Sequence, residues 1–238
     1  MPRPVPDRIE DRLIVALDLP TVAAARAMAE RLDGIVSFLK LGLWLTFAPG
    51  FDRLLEDLVA QGKKVFLDAK MFDIGETVKQ GVARAAERGA SFVTVHGDRD
   101  ILRAAVEGKR GSNLRILAIT VLTSIDDAGA RELGHRLPVA ELIRQRVASC
   151  AELGVDGVIA SPHDIGDIRC VPGADALLVV TPGVRLPGAA LDDHKRAGSP
   201  AQAIAASADY LVVGRPIVHA PDPAAAALRI IADMRSAV

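Results

Sequence analysis

The chain has 238 residues, of which 29 are Lys or Arg and 30 are Asp or Glu, so its formal net charge is −1. This balance argues against a general nucleic-acid surface, which normally shows an excess of basic residues. No stretch approaches the length of a membrane span, and residues 1–6 lack the apolar core of a secretory signal. Two scattered cysteines are too few for a disulfide framework. We therefore expect a cytoplasmic protein with no membrane segment and no nucleic-acid partner.

Eight short aliphatic runs recur along the chain and predict buried parallel strands. Each run is almost continuously apolar and rich in Val, Ile and Leu, which is typical of strands covered on both faces. Their starts lie roughly 20 to 40 residues apart, which leaves room for a helix and two loops between successive strands. The predicted strands are Leu13–Asp18, Val36–Gly42, Lys64–Lys70, Ser91–His96, Arg115–Leu122, Gly157–Ser161, Ala176–Thr181 and Tyr210–Gly214.

Several segments between these runs have the apolar spacing of helices. Phe51–Ala60 places its apolar residues at intervals of three and four, which makes one stripe along a helix. Thr21 is a suitable N-cap for a helix over Val22–Leu32, and Gly154 is suited to end a helix over Val139–Leu153. The remaining predicted helices are Ala201–Ala208 and Pro223–Val238.

The alternation of strands and helices predicts an α/β fold, a single (β/α)8 TIM barrel that occupies residues 1–238 as one domain. No shift in composition marks a linker. A doubly wound open sheet is the alternative, and it would require a reversal of strand order that a sequence does not show. A barrel places its active-site residues at the carboxyl ends of the strands and in the loops that follow them.

The densest group of polar residues lies at the end of the third predicted strand, in the segment Asp68-Ala69-Lys70-Met71-Phe72-Asp73-Ile74-Gly75-Glu76-Thr77. Asp68 and Lys70 are two positions apart, so a regular strand would point both side chains into the barrel near its mouth. A structural salt bridge is one interpretation of this pair. Lys40, at the end of another predicted strand, adds a second lysine to the group and favours an enzyme.

An alternating array of lysines and aspartates has a direct chemical use. The carboxylates favour the charged form of each lysine. A lysinium ion held in a dry site can stabilise a developing carbanion and then donate a proton to it. This scheme requires neither a metal ion nor an organic cofactor, and the five histidines and two cysteines show no metal-ligand spacing.

The segment from Asp68 to Thr77 resembles the signature of the orotidine 5′-phosphate decarboxylase family, and the resemblance covers essentially the whole chain. The other matching segments are Ala16-Leu17-Asp18, Lys40-Leu41-Gly42, Leu122-Thr123-Ser124, Thr181-Pro182-Gly183-Val184-Arg185 and Val213-Gly214-Arg215-Pro216. The resemblance implies decarboxylation of orotidine 5′-phosphate to uridine 5′-phosphate, the last step of de novo pyrimidine nucleotide synthesis. It also implies that the reaction needs no metal ion and no cofactor.

The resemblance implies catalytic roles for four residues. Lys70 corresponds to the lysine that protonates C6 of the pyrimidine after carbon dioxide leaves, and Asp68 would face the substrate carboxylate. Lys40 would contact the ribose and complete the charge array. Asp73 corresponds to an aspartate that reaches the neighbouring subunit's site, which implies a homodimer with two shared active sites.

Further residues are implied to bind the substrate. Asp18 resembles an aspartate that binds a ribose hydroxyl, and Thr77 resembles a threonine that crosses the subunit interface with Asp73. Thr123, with Ser124 beside it, belongs to the loop that meets the pyrimidine ring. The other substrate-binding positions that the resemblance implies are Ile74 and Pro182.

The phosphate end of the site can also be predicted from position along the chain. Gly214 and Arg215 follow the last predicted strand, where barrels commonly bind phosphate. Glycine lets backbone N–H groups approach an anion, and arginine supplies forked donors. Residues 182–199 form a long polar segment that we expect to be a lid over the phosphate. In that segment Arg185 matches a substrate-binding arginine of the family, and His194, where the family often has glutamine, is a candidate phosphate contact.

Two other functions are open on the sequence alone. One is a magnesium-dependent 3-keto-gulonate-phosphate decarboxylase or hexulose-phosphate synthase, which would need metal-binding carboxylates at its strand ends. Lys40, rather than a carboxylate, ends the second predicted strand. The other is a noncatalytic sugar-phosphate-binding barrel, which does not explain lysines interleaved with acids, because burying charges without a use is costly.

Overall fold

The computed structural model describes residue 3 and residues 5–186 and 198–237. Eight parallel strands form a closed barrel in chain order, and the pairing of the first strand with the last completes the ring. The strands are β1 (Leu13–Ala16), β2 (Phe38–Gly42), β3 (Lys64–Met71), β4 (Phe92–His96), β5 (Arg115–Ile119), β6 (Gly157–Ile159), β7 (Leu178–Pro182) and β8 (Tyr210–Val213). The closed ring confirms the predicted (β/α)8 barrel and rules out the open, doubly wound sheet.

Helices surround this barrel and connect its strands. They are α1 (Val22–Arg31), α2 (Leu43–Thr46), α3 (Phe51–Ala60), α4 (Gly75–Glu87), α5 (Arg99–Gly108), α6 (Asp127–Glu132), α7 (Val139–Leu153), α8 (Ile165–Arg169), α9 (Pro200–Ala205), α10 (Arg215–Val218) and α11 (Pro223–Arg235). Short 3-10 helices cover Ile9–Arg12 and Ala174–Ala176. Within the described ranges, no helix is both long enough and apolar enough to cross a membrane.

The ends of several elements follow from local capping. The hydroxyl of Thr21 accepts the N–H of Ala24 at the start of α1, and Gly154 ends α7 with a left-handed φ of 74°, as predicted. Helix α9 begins one residue before its predicted start, because Ser199 and Gln202 form a reciprocal capping box ahead of it. Helices α9 and α11 end earlier than predicted, at Ala205 and Arg235.

Several strands are shorter than predicted. Strand β1 ends at Ala16 and β5 ends at Ile119, so Asp18 and Leu122 lie in the loops that follow these strands. Both residues are therefore at the mouth of the barrel and outside the hydrogen-bonded ladder. This is the position where the barrel fold carries its functional side chains.

The lower half of the barrel interior is filled by four aromatic side chains, Phe38, Phe66, Phe92 and Tyr210, which we call the floor. Each is no more than 2% exposed. The ring centroids of Phe38 and Phe92 are 4.8 Å apart, and Phe92 meets Tyr210 nearly edge to face at 5.3 Å. Tilted and edge-to-face contacts suit the charge distribution of aromatic rings, so the floor is well packed as well as apolar.

Below the floor, Asp209 fastens the amino-terminal segment to the barrel. Its carboxylate is buried and accepts hydrogen bonds from Arg3 at 3.1 Å, from Arg169 at 2.7 Å and from the N–H of Val179 at 2.7 Å. Arg12 donates to the Asp209 carbonyl oxygen at 2.8 Å. These bonds join the amino-terminal segment to α8, β7 and the start of β8 at the bottom of the barrel, away from the mouth.

Candidate active site

A cavity of about 860 Å³ opens at the carboxyl ends of the strands. Charged side chains of β1 to β3 and their loops line one side of it, and the loops after β7 and β8 line another. The part contributed by β5 and β6 is mainly apolar and includes Ile119, Val121 and Ile159. The cavity therefore joins a charged surface to an apolar one, an arrangement that suits a planar ligand with charged substituents.

Four ionisable side chains form a continuous chain along the charged side, and we call Asp18, Lys40, Asp68 and Lys70 the ionic array. Lys40 Nζ lies 3.0 Å from Asp18 Oδ1 and 3.2 Å from Asp68 Oδ2. Lys70 Nζ lies 2.8 Å from the same Asp68 oxygen. Positive and negative charges alternate, so every member has an opposite charge beside it, which offsets part of the cost of burial.

Asp68 is the most connected member of the array, and its side chain is only 13% exposed. Burial raises the pKa of Asp68, but the charges of Lys40 and Lys70 and the hydrogen bonds from Lys70 and Thr94 lower it by more. The net result is a pKa below the usual value for an aspartic acid. Asp68 is therefore a buried carboxylate that stays ionised at neutral pH.

Lys70 reaches Asp68 from a distorted part of β3. Its φ is 49°, in the left-handed region, and the register between β3 and β4 shifts between Leu67 and Met71, as at a β-bulge. Asp68 and Lys70 pair as predicted. The prediction assumed a regular strand, however, and that assumption is wrong at this point of β3. A left-handed lysine costs roughly 1–2 kcal/mol of conformational energy, so other contacts must hold this backbone in place.

Thr94, on β4, was not predicted from the sequence and lies beneath the array. Its Oγ1 donates to Asp68 Oδ1 at 2.9 Å and accepts the N–H of Lys70 at 3.0 Å. The side chain is completely buried. The sequence did contain a signal, because Thr94 is a polar residue two positions after the inward-facing Phe92, and so faces the same interior.

Gly42, at the end of β2, makes room for the array. A β-carbon at this position would collide with the carboxylate of Asp18 and come within 3.4 Å of Lys40 Nζ. Any larger residue would therefore push Asp18 away from Lys40. The glycine in the segment Lys40-Leu41-Gly42 has a steric role in the site.

The other charged part of the cavity lies after β7 and β8. Pro182 lines the cavity here, and so do Arg185, Gly214 and Arg215, the described residues whose predicted place is the phosphate end. Arg215 is the first residue of α10 and Gly214 immediately precedes it. Two arginines on one side of a concave surface make a suitable site for a phosphate dianion.

The ends of the predicted lid segment are joined to each other. Val184 and Gly198 form an isolated parallel bridge, and the N–H of Arg185 donates to the carbonyl of Gly198 at 3.0 Å. His194 falls within residues 187–197, outside the described residues, so its predicted phosphate contact stays a prediction.

Thr123 lines the cavity as expected, whereas Asp73, Ile74, Thr77 and Ser124 do not. These last four residues are all exposed on the surface of the chain. The carboxylate of Asp73 accepts the N–H of Ile74 at 2.7 Å and lies apart from the ionic array. A single chain thus brings together Lys40, Asp68 and Lys70 but leaves the second aspartate of the expected Lys–Asp–Lys–Asp order outside.

Trp44 on α2 and His219 after α10 also line the cavity, and neither was predicted as a site residue. Neither has a spacing signal in the sequence, since Trp44 lies on a four-residue helix and His219 directly follows another. In the described part of the chain, no group of three His, Cys, Asp or Glu side chains is arranged to hold a metal ion. The carboxylates of the array are paired with lysines instead, which does not fit the donor set expected of the magnesium-dependent alternative.

The chain is similar over nearly its whole length to proteins of one family. Residues 11–230 match the family described as "Orotidine 5'-phosphate decarboxylase / HUMPS family". The chain is 52% identical to an orotidine 5′-phosphate decarboxylase of Methylobacterium radiotolerans over 94% of this chain and 96% of that protein. It is 48% identical to one of Afipia carboxidovorans over 96% of this chain and 97% of that protein.

A solved structure is similar as well. The crystal structure of orotidine 5′-phosphate decarboxylase from Lactobacillus acidophilus matches with a TM-score of 0.82 and 34% sequence identity. The match covers 94% of this chain and 99% of that one. The similarity therefore extends through the barrel and through every strand that lines the cavity.

Proposed function

The chain belongs to the orotidine 5′-phosphate decarboxylase / HUMPS family, and we propose that it decarboxylates orotidine 5′-phosphate to uridine 5′-phosphate with Lys70 as the proton donor. Its relatives at about half identity are named for this reaction. The observation that carries the proposal is the ionic array, in which Lys70 Nζ lies 2.8 Å from the buried, ionised Asp68. This pair supplies a fixed ammonium group at the mouth of the barrel.

The reaction breaks the bond between C6 and the carboxylate, releases carbon dioxide and leaves an electron pair on C6. That carbanion is not conjugated with the ring carbonyls, so the protein must stabilise it. The Lys70 ammonium supplies a positive charge next to C6 and then transfers its proton there, and the neutral amine regains a proton from solvent. Asp68 holds that ammonium in place at 2.8 Å and faces the departing carboxylate.

The rest of the cavity holds the substrate in place. Asp18 and Lys40 bind the ribose hydroxyls, and Arg185, Gly214 and Arg215 bind the phosphate. The pyrimidine lies against the apolar part of the wall, near Thr123 and Pro182. Binding energy from the remote phosphate can then be used to hold C6 against Lys70, which lowers the barrier of the chemical step.

The test is conversion of orotidine 5′-phosphate to uridine 5′-phosphate by purified protein, measured before and after exhaustive chelation. We expect equal turnover in both samples, because the array contains the proton donor and the charges that the reaction needs. Turnover that is lost on chelation and restored by Mg²⁺ would contradict the metal-independent mechanism. The Lys70→Ala variant, purified identically, controls for a contaminating host enzyme, and no conversion by the wild type would contradict the proposed activity.

We further propose a homodimer in which a second copy covers an exposed apolar face. This apolar face consists of Leu43, Trp44, Phe47, Phe72 and Ile74, each at least half exposed. It lies where α2 packs beside β3, and Trp44 belongs both to the face and to the cavity lining. Large exposed aromatic side chains next to a cavity mark an interaction surface.

The position of Asp73 supports the same arrangement. It lies between Phe72 and Ile74 of the apolar face, and Thr77 is exposed nearby on α4. A copy docked on this face would receive Asp73 and Thr77 from its partner, which would extend its ionic array to a second aspartate. A two-fold symmetric contact would complete both sites at once.

Mixing two inactive variants tests this sharing of sites. A heterodimer of Lys70→Ala with Asp73→Ala contains one site with both residues intact, so random exchange should restore about a quarter of the wild-type activity. No recovery after exchange has been verified would contradict the shared site. Phe47→Glu should dissociate the dimer in sedimentation velocity, whereas Leu133→Glu, at an exposed leucine outside the apolar face, should leave it intact.

We also propose that residues 1–238 form one domain and that the enzyme is cytoplasmic. The described strands and helices pack around one barrel, which supports the single domain. Cys150 and Cys170 are both free thiols, as suits a reducing compartment. Limited proteolysis and cell fractionation test these two proposals.

A further inference from the structure

We propose that Thr94 is a positioning residue for the decarboxylation, and that its hydroxyl fixes the carboxylate of Asp68 and the backbone of Lys70 in one relative arrangement. The inference rests on the proposed function, because it assigns Thr94 to the same reaction. Thr94 does not line the cavity, so it acts through the two residues above it.

The first observation is how the contacts of Asp68 are divided between its two oxygens. Oδ2 lies 3.2 Å from the ammonium of Lys40 and 2.8 Å from that of Lys70. Oδ1 accepts a hydrogen bond from the hydroxyl of Thr94 at 2.9 Å. The two ammonium groups hold only one of the oxygens, and the hydroxyl holds the other, so the rotation of the carboxylate about its Cβ–Cγ bond is restrained at both oxygens. Thr94 therefore sets the plane of the carboxylate, with one oxygen toward both lysines and the other toward β4.

The second observation is the distorted backbone of Lys70. Its left-handed φ of 49° coincides with the register shift that interrupts the ladder between β3 and β4. A backbone N–H that loses its ladder partner in a buried place needs another acceptor. The hydroxyl of Thr94 is that acceptor, at 3.0 Å from the nitrogen of Lys70. The same atom thus supports the strained residue that holds the proton donor.

A hydroxyl is suited to this position because it donates and accepts at once. Thr94 donates its proton to Asp68 and accepts the N–H of Lys70. Because the side chain is completely buried, water is not at hand to replace the hydroxyl. Valine has nearly the same shape and suits a strand equally well, but it offers neither interaction. Thr94→Val therefore removes the positioning while it keeps the packing.

The chain contains a matched control in Thr181, on β7. Thr181 is also a buried strand threonine, and among the described residues its Oγ1 has no hydrogen-bond partner. It does not line the cavity. Thr181→Val makes the same chemical change in the same kind of strand without removing a hydrogen bond.

The experiment compares Thr94→Val, Thr94→Ser and Thr181→Val with the wild type in steady-state turnover of orotidine 5′-phosphate. We expect Thr94→Val to lower kcat about 100-fold, the size expected for a small misplacement of reacting groups, with KM changed about threefold or less. Thr94→Ser, which keeps the hydroxyl, should restore kcat to within about tenfold of the wild type. Thr181→Val should match the wild type.

A second readout separates positioning from a general effect on folding. The hydrogen bond from Thr94 is one of the causes that lower the pKa of Asp68, so Thr94→Val should raise that pKa, measured by ¹³C NMR of the side-chain carboxyl. Thr94→Ser and Thr181→Val should leave it unchanged. A loss of thermal stability alone would not move this pKa.

Each outcome bears on the inference in a defined way. A folded Thr94→Val with wild-type kcat overturns it, as does an equal loss in Thr181→Val or an Asp68 pKa that does not move. If the wild type converts no orotidine 5′-phosphate, the proposed function fails, whereas the pKa shift still tests the contact with Asp68. If Thr94→Val does not fold, Thr94→Cys replaces it, since the thiol is only a weak donor and acceptor.

Discussion

The two halves of the barrel interior are built from the same strands and have opposite chemistry. A step of two residues along a strand, which keeps the side chain facing inward, leads from the floor to the mouth. The pairs are Phe38 and Lys40 on β2, Phe66 and Asp68 on β3, and Phe92 and Thr94 on β4. Three neighbouring strands therefore change from aromatic to polar at the same height.

This difference separates the source of stability from the source of activity. The floor removes aromatic surface from water and keeps water out from below the ionic array. The array itself costs desolvation energy, which its alternating charges offset in part. Because the floor is dry, the charges above it interact more strongly than they would in water. The floor supplies the conditions in which Lys70 and Asp68 can act.

The largest expected effect is a loss of turnover caused by a substitution at the mouth of the barrel. Lys70→Ala should lower kcat by at least about 10³-fold, since it removes both the proton donor and the charge beside C6. The free energy of unfolding should change little, because the lysine side chain is 39% exposed. Steady-state kinetics and urea unfolding of the same preparation measure the two quantities. A folded variant with near-normal kcat would remove Lys70 from its assigned role.

A substitution in the floor should have the opposite result, a loss of stability with little loss of turnover. Phe92→Ala should lower the free energy of unfolding by about 3–5 kcal/mol, because it opens a cavity among packed rings. Turnover by the fraction that stays folded should remain within about tenfold of the wild type, as Phe92 does not touch the array. Urea unfolding and active-site titration provide the measurement. A loss of kcat as large as that of Lys70→Ala would mean that the two halves do not act separately.

The smallest expected effect is on the pH dependence of the free energy of unfolding. The pKa of Asp68 is lowered in the folded state, so its contribution to stability is complete above the unfolded pKa of about 3.9 and is lost as the pH falls through the folded pKa. Asp68→Asn should therefore flatten the fall in stability below about pH 4. Phe92→Ala should lower stability equally at every pH, because the floor has no carboxyl group. Urea unfolding between about pH 2 and 7 tests this, and an unchanged slope in Asp68→Asn would contradict it.

Much of the barrel and part of the site could be predicted from the sequence. The eight aliphatic runs gave the strand positions because parallel strands are covered on both faces. Four residues of the ionic array could be placed at the mouth because they lie at or near the carboxyl ends of those runs, and Arg215 because it directly follows the last run. The left-handed backbone of Lys70 was not predictable, since lysine has no local preference for it and the pairing with β4 produces it.

Other features depended on contacts between distant parts of the chain. Thr94 was missed because alternation along β4 indicates only that its side chain faces inward, whereas its partners come from β3 and the bulge there has no sequence signal. Ser124 is exposed although its neighbour Thr123 lines the cavity. This difference depends on the path of the loop after β5, a strand that ends earlier than predicted. The resemblance to a family suggested Asp73, but its place in a second subunit's site cannot follow from one chain's local pattern.

The closure of the ring has a consequence for how the protein is made. Strand β1 pairs with β8, and Arg12 and Asp209, which join these regions, are 197 residues apart in the chain. A ribosome releases the amino-terminal strand long before the carboxyl-terminal one, so the growing sheet has two unpaired edges for most of synthesis. The ionic array lies on β2, β3 and the loop after β1, yet its cavity is complete only when residue 219 has emerged. Activity should therefore appear late in translation, after nearly the whole chain has been made.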